Sequence, residues 1–500
     1  MTPTERRLLT LSSLVGAALT LFVLVLWTFG ALSPLDRWLY DGRLRWFQHF
    51  TKPPTDRLVH IDVNDQALET IARWPWDRSL MGALIDEIHK AGAKVIALDI
   101  VFSERQRPRN ERQPDGSFLE IRDDAQLAQV VSAAGQVLMP LNLNVDEPPT
   151  ALQKTLRENL IENLELTIGE TFEKVSQTGT ENPPPEDRED LFVGARRAAM
   201  FDRLDRELDT INPFPENPDT LADQLRERLL PGETRVYTGS PLQRLVNNQL
   251  EQVRALRALR QHSLSMPGEL PLLQADDALM PIPELARATG TTGFVTYVPD
   301  DDGVVRSIPL LIRHRDVVFA QFGLVMACAY LDVPLSNIRA QRDRIILPIN
   351  GGDDIVVPVH ERASRRQKRE VGMLMDVPWF GKEMWQFMFD HPRYEKPEQH
   401  MPINMIWDAY KTRQRLINNS ANADRAIRRI YRFLDPEKIQ EMEQSVPPYD
   451  DIAAWAKLLN DANEEVEESG FRKAFEELDP SELSEDYTVF IEADESLQAL

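Results

Sequence analysis

Two aspartates stand where an α/β protein does its chemistry. Asp62 lies in the apolar run Leu58 to Val63, and Asp99 lies near the end of the run Lys94 to Phe102. Both runs read as strands, and open α/β sheets bind ligands outside the carboxyl ends of their strands. Two carboxylates there, with Asp65 just beyond and Arg78 opening the next helix, suit a divalent cation or a polar ligand. The plainer reading is that Asp62 and Asp65 cap the connection while Arg78 neutralises Asp99, an internal pairing that fixes geometry at little net gain. The sequence favours that reading over a ligand site, and over a hydrolase using Asp62, Asp65 and Asp99 with a metal.

Nothing else assembles a catalytic set. The eight histidines show no close metal spacing. There is no Gly-rich phosphate loop, no serine nucleophile elbow and no kinase signature. Gly381-Lys382 is an isolated pair. Asn350-Gly351-Gly352-Asp353-Asp354 falls between two strand patterns and reads as a hairpin turn. Cys328, the single cysteine, sits in an apolar run and reads as a small buried hydrophobe. No catalytic residue, metal or cofactor is therefore expected.

The elements around these aspartates follow from periodicity. Apolar positions at Leu80, Met81, Leu84, Ile85 and Ile88 recur at three and four, which predicts a helix from Asp77 to Ala91 stopped by Gly92. Strand, helix and strand within so short a span predict a βαβ unit whose strands, Leu58–Val63 and Val95–Val101, lie parallel and adjacent. A further helix over 123–134 leads into a strand over 136–143. Residues 146–270 are charged and helical, including a stretch from Ser240 to Leu264, and read as an insertion that packs on its parent domain. Strand patterns return at 292–298, 304–312, 344–349 and 354–359. Val318 to Leu331 reads as one buried helix. Past 382 the chain is polar and helical, with a last strand candidate at 488–492.

Leu8 to Leu32 carries no charge over 25 residues. About 20 apolar residues span a bilayer, so this run reads as an uncleaved anchor. Arg6 and Arg7 on one side and Arg37, Arg43 and Arg45 on the other leave the positive-inside comparison near a tie. The formal net charge is −23, and residues 431–500 hold 20 Asp/Glu against 5 Lys/Arg. Such a surface repels phosphate backbones, which sets nucleic acid aside as a partner.

One stretch resembles a known family. Asp36, Tyr40, Asp41 and Arg43 after the apolar run, His60-Ile61-Asp62 with Asp65 and Leu68, Arg73-Trp74-Pro75-Trp76-Asp77-Arg78, Ala91 to Ile96 and Asp99 to Phe102 are similar to the CHASE type-two family, the extracellular sensor domain of receptor cyclases and histidine kinases. Asp124, Leu127, Ala128 and Pro140 fit, as do Gly293-Phe294-Val295 and the block Asp300 to Arg306. The resemblance implies a sensing surface beside that last block, which makes Arg306 a further ligand candidate. It also implies membrane helices and an effector domain that this chain does not display.

The expectation is then an α/β fold, a doubly wound mixed sheet with βαβ units and helical insertions, preceded by one transmembrane helix. The expected divisions are a cytoplasmic tail (1–7), the membrane helix (8–32), a sensor domain in two parts (33–145 and 271–380), the helical insertion (146–270) and an acidic segment (381–500). The expected role is the signal-input domain of a bacterial-type receptor, single-pass in the inner membrane with residues 33–500 outside the cytoplasm. It would be a homodimer responding to a small-molecule or protein stimulus, with Asp62, Asp65, Arg78, Asp99 and Arg306 as ligand-binding candidates. The alternatives are the metal-dependent hydrolase and a non-catalytic envelope protein that recruits partners.

Overall fold

The computed structural model of the chain describes residues 3–28, 32–47, 57–112, 117–145, 149–179, 183–211, 218–230, 240–264, 270–300, 302–364, 369–377, 400–444, 446–470 and 493. Helix α1 (Pro3–Thr28) is followed by α2 (Ser33–Phe47). Within α1 the described side chains are those of residues 12–26 and 28. Among the described residues no helix is long and apolar enough to cross a membrane. Leu14, Leu19, Leu21 and Phe22 are nonetheless all exposed.

Next come β1 (His60–Asp62), α3 (Asp65–Thr70) and α4 (Arg78–Lys90). The periodicity of α4 is realised: Met81, Leu84 and Ile85 are buried. Gly92 ends the helix at φ +89°, a left-handed conformation that glycine adopts without a Cβ penalty. Asp77 holds the N-cap position but makes no capping hydrogen bond. Beyond lie β2 (Ile96–Ala97), the hairpin β3 (Arg109–Arg112) and β4 (Phe118–Ile121), α5 (Asp123–Ala134) and β5 (Val137–Asn144).

Five helices follow: α6 (Ala151–Glu162), α7 (Ile168–Gln177), α8 (Pro185–Thr210), α9 (Pro218–Leu229) and α10 (Pro241–Leu259). Capping boxes start α6 and α7, from Thr150 with Gln153 and from Thr167 with Glu170. The apolar faces of all five helices share one core with Leu141 and Leu143 of β5 and with Phe294, Ile312 and Phe319.

The chain continues through β6 (Leu273–Ala275), β7 (Asp277–Leu279), α11 (Pro283–Ala288), β8 (Thr291–Phe294), β9 (Ser307–Pro309), β10 (Leu311–His314), β11 (Val317–Ala320) and α12 (Phe322–Tyr330). Then come β12 (Arg339–Gln341), β13 (Arg344–Leu347), β14 (Ile355–Pro358), β15 (His360–Ser364) and β16 (Arg369–Asp376). Further along are β17 (His400–Pro402), α13 (Ile403–Leu434), α14 (Pro436–Gln444) and α15 (Ile452–Ser469).

The architecture is mixed α/β with several small sheets. One is built on parallel strands β2, β5 and β8, with β7 antiparallel on the far half of β5. The others are β11–β10–β6, the meander β12–β13–β14, and β15–β16–β9. The βαβ unit read from the sequence is not the one formed. β1 pairs with β17, while β2 pairs in parallel with β5 through the crossover that contains α5. Burial explains the choice. His60 and Asp62 of β1 are exposed, whereas Ile96 meets Val137 and Ala97 meets Leu138, both fully buried.

Two further expectations change. Residues 318–331 are not one helix: Val317–Ala320 is a strand, and the Gln321 side chain caps α12 by accepting from the Gly323 and Leu324 amides. The strand pattern 304–312 divides into β9 and β10, which belong to different sheets, with the Leu310 amide donating to Met373 at the break. The Gly351-Gly352 segment is a hairpin turn between β13 and β14, with Gly351 at φ +78°. The strand candidate 488–492 and Gly381-Lys382 lie outside the described residues.

The chain divides into two compact units, residues 1–60 with 94–400, and residues 61–93 with 401–500. In the second unit α4 packs on α13, where Arg413 Nε donates to both oxygens of buried Glu87 at 2.8 and 3.0 Å. Leu84 is 1% exposed. Leu84→Ala is expected to destabilise this unit by about 2–5 kcal/mol. The exposed neighbour change His89→Ala is expected to stay within about 0.5 kcal/mol. Urea titrations of the two variants check this, and equal midpoints would contradict the burial of this face.

Candidate functional site

The sequence candidates are divided between the two units. Asp62 is exposed on β1 and Asp65 is exposed at the start of α3. The cap of α3 is Asn64, whose Oδ1 accepts from the Ala67 amide at 3.0 Å. Arg78 is buried at the start of α4. These three belong to the second unit, whereas Asp99, exposed beyond β2, and Arg306 belong to the first. The adjacent parallel strand ends that a carboxylate pair of Asp62 and Asp99 requires are not formed, because β1 and β2 lie in different sheets.

Arg306 is the candidate around which a constellation forms. It stands immediately before β9 and is 7% exposed. Its Nε and Nη2 donate to Asp41 Oδ1 and Oδ2 at 2.7 and 2.8 Å, a fork-to-fork pair. Its Nη1 donates to Asp300 Oδ2 and Asp302 Oδ1, both at 2.9 Å. Arg362 of β15 donates to the other oxygen of Asp300, and Arg37 stands 3.6 Å from Asp302. Three arginines and three aspartates thus balance in one network. A buried guanidinium is tolerated only when its donors are met, and four of the five N–H groups of Arg306 are met by carboxylates.

The sequence builds this network from three places. Arg37 and Asp41 are one helical turn apart on α2, so they share a face. Asp300 and Asp302 belong to a turn in which Gly303 takes φ +82° and donates to the Asp300 carbonyl. Asp302 and Arg306 are four residues apart across it. Arg362 arrives from β15, in the same sheet as β9. Asp301 lies outside the described residues.

A cavity of about 570 Å³ opens beside the network, lined by Tyr40 and Arg43 of α2, by Arg306 and Arg362, and by His360 and Asp376. The electrostatics follow from the contacts. Burial first, then the Asp376 and Asp300 carboxylates, push the Tyr40 hydroxyl up to about 12. The hydrogen bond from Arg306 holds Asp302 down at about 2, helped by the Val304 amide and the charges of Arg306 and Arg37. Hydrogen bonds to Asp41 and then Asp302 drive the Arg306 pKa further up. Arg306 and Asp302 are therefore both charged across physiological pH, and the arrangement acts as a fixed clamp between α2 and the β9 sheet.

Sequence reading reached Arg306 but not its partners. Asp41 precedes it by 265 positions. The signal that was available is the turn Asp300 to Gly303 with an arginine four residues after its last aspartate. Cys328 is buried, and burial pushes its thiol up to about 11, which leaves it protonated and inert. Among the described residues no group of three or more His, Cys, Asp or Glu side chains is placed to hold a metal ion.

No curated protein and no solved structure matches the chain. The family model of the CHASE2 domain matches residues 18–389, a span that takes in α2, Asp41, the 300–306 turn and Arg362. With a match over well more than half of its 500 residues, the chain belongs to the CHASE2 domain family, a family of extracellular sensory domains.

Proposed function

We propose that this protein is the signal-input portion of a membrane-bound receptor of adenylate cyclase or histidine kinase type, with α1 as the anchor and α2 as the element that carries the signal. The observation that carries this reading is the Arg306 clamp. It fastens α2, the helix next to α1, to the sheet of the sensory domain through a bidentate pair with Asp41. A stimulus that binds one arrangement of the clamp better than another shifts α2, and no other kind of contact can bias such an equilibrium.

The anchor is supported by length and exposure. The uncharged run Leu8 to Leu32 is 25 residues long, where about 20 apolar residues span the hydrocarbon layer. Its described leucines are exposed, as they are in a helix that faces lipid. Trp38 and Trp46, 70% and 69% exposed on α2, fit the interfacial zone next to it. A single span transmits by changing its packing against a second copy, so the working unit is a homodimer. Arg6 and Arg7 stay in the cytoplasm, and residues 33–500 lie on the far side of the inner membrane.

Topology is the most direct test. Protease added to intact cells with a permeabilised outer membrane is expected to digest the acidic segment 431–500. Protection of that segment until the inner membrane is broken would place the domain in the cytoplasm and end this reading.

A further inference from the structure

A second cavity, of about 430 Å³, lies at the carboxyl ends of β5 and β8. This is where parallel α/β sheets bind ligands, and its volume falls in the small-molecule range. Its floor is a patch of the β5–β7 ladder. Asn142 and Asn144 alternate along β5 and so share a face, about 7 Å apart. Asn142 is paired with Leu279 and Asn144 with Asp277. Thr296 and Tyr297, just past β8, form the opposite side. The Thr296 hydroxyl accepts from the Leu143 amide at 2.7 Å and stands 2.9 Å from Asn142 Oδ1, which fixes this side against the floor. Tyr297 is 61% exposed and Leu279 is 48% exposed, so one aromatic and one aliphatic surface face outward beside the amides.

The lining selects the chemistry of its ligand. Asp277 is its one charged residue, and Arg197 already stands 3.7 Å from it. A strongly charged ligand finds no uncompensated counter-charge there. Carboxamides and hydroxyls both donate and accept, as a polyhydroxylated ligand demands at every carbon. The Tyr297 ring offers a flat apolar face with a polar tip. We infer that this cavity binds a neutral polyhydroxylated molecule of mono- or disaccharide size, held edge-on by Asn142, Asn144 and Asp277 and face-on by Tyr297.

The same segment leads to the clamp. Residues 296–299 line the cavity, and the next residue, Asp300, receives both Arg306 and Arg362. A ligand that draws in Thr296 and Tyr297 pulls directly on a carboxylate of the network holding α2. This coupling rests on the transmission role proposed above; the binding site does not.

The full-length protein in lipid nanodiscs would be titrated by calorimetry with glucose, galactose, sucrose and trehalose, and with glucuronate and glucosamine as charged counterparts. At least one neutral sugar is expected to bind, weakened roughly tenfold or more by Tyr297→Ala and by Asn142→Ala. Circular dichroism on each variant separates a lost contact from a lost fold, and Tyr297→Phe, which keeps the ring, should retain most of the binding. Absence of binding by all four neutral sugars, preference for a charged counterpart, or equal binding by wild type and both alanine variants would overturn the site. Hydrogen exchange over residues 33–47, with and without sugar, reads the coupling. Binding without any change there supports the site and overturns the transmission role of α2.

Discussion

Arg306→Ala is expected to destabilise the first unit by about 3–5 kcal/mol, because three carboxylates packed around one guanidinium lose their shared counter-charge. Removing one member of a buried ionic network costs more than the network contributes, since the partners stay where burial is expensive. Arg306→Lys should restore little, because an ammonium on a flexible stem cannot reproduce the planar fork that meets both oxygens of Asp41. Asp41→Asn is the milder change. Its side chain is 37% exposed, so water covers part of what is lost, and the chief effect should be on α2 rather than on the fold. Urea titration gives the stability. Disulfide cross-linking of Trp46→Cys in membranes gives the packing of α2 between copies, and the native thiol does not interfere because Cys328 is buried. Arg306→Ala with a loss below about 1 kcal/mol and an unchanged cross-linking pattern would show that the clamp neither holds the domain nor sets α2.

What the sequence displayed follows how local each signal is. Helix α4 was legible from five apolar residues and a glycine, and α5 from a similar pattern, because helix periodicity and stops act within a few residues. The 351–352 hairpin was legible for the same reason. Strand partners were not. β1 and β2 read as one unit because they flank one helix, but pairing is decided by which faces are buried together, and β17 lies more than 300 residues downstream of β1. The second unit, formed from residues 61–93 and 401–500, carries no local mark at all. Val318 to Leu331 misled because a buried strand and a buried helix are equally apolar, and only the capping role of Gln321 separates them. Of the candidate site, Arg306 was reached through the family resemblance of the block Asp300 to Arg306 and not through any local pattern. Its principal partner was not, since nothing in a sequence ties residue 306 to residue 41. Asp62 and Asp99 looked like a pair only for as long as β1 and β2 did.

Acid is expected to weaken the first unit through His314 before it neutralises Asp302 of the clamp. His314 ends β10, is 2% exposed, and its Nδ1 stands 3.0 Å from the Ala275 carbonyl on the neighbouring strand β6. That contact calls for a proton on Nδ1, so the neutral ring is held as the Nδ1–H tautomer. Burial pulls its pKa down from 6.5 to about 4, with the charge of Arg315 adding to the shift and the Ala275 carbonyl, Asp277 and Asp316 opposing it. The folded state therefore binds the proton less readily than the unfolded chain. Stability is whole above about pH 6.5 and falls as pH drops from there toward 4, where the folded ring also titrates and the loss levels off. A depression of this size corresponds to roughly 3 kcal/mol across that window. The loss should be felt where β10 and β11 meet the helical insertion, because the next residue, Arg315, is paired with Asp202 of α8 and lies over the Phe201 ring. Asp302, held at about 2, keeps its charge in the folded state through the whole window and adds to the slope only at the lower end, where the unfolded carboxylate, near 3.8, begins to take up a proton. Urea titrations at pH 7 and pH 4.5, on wild type and on His314→Gln, isolate the effect, because other carboxylates titrate alike in both proteins. The glutamine variant is expected to be less stable at pH 7 and to lose markedly less on acidification. The same acid loss in both proteins would show that the ring is already solvated, and that the β6–β10 ladder does not bury it.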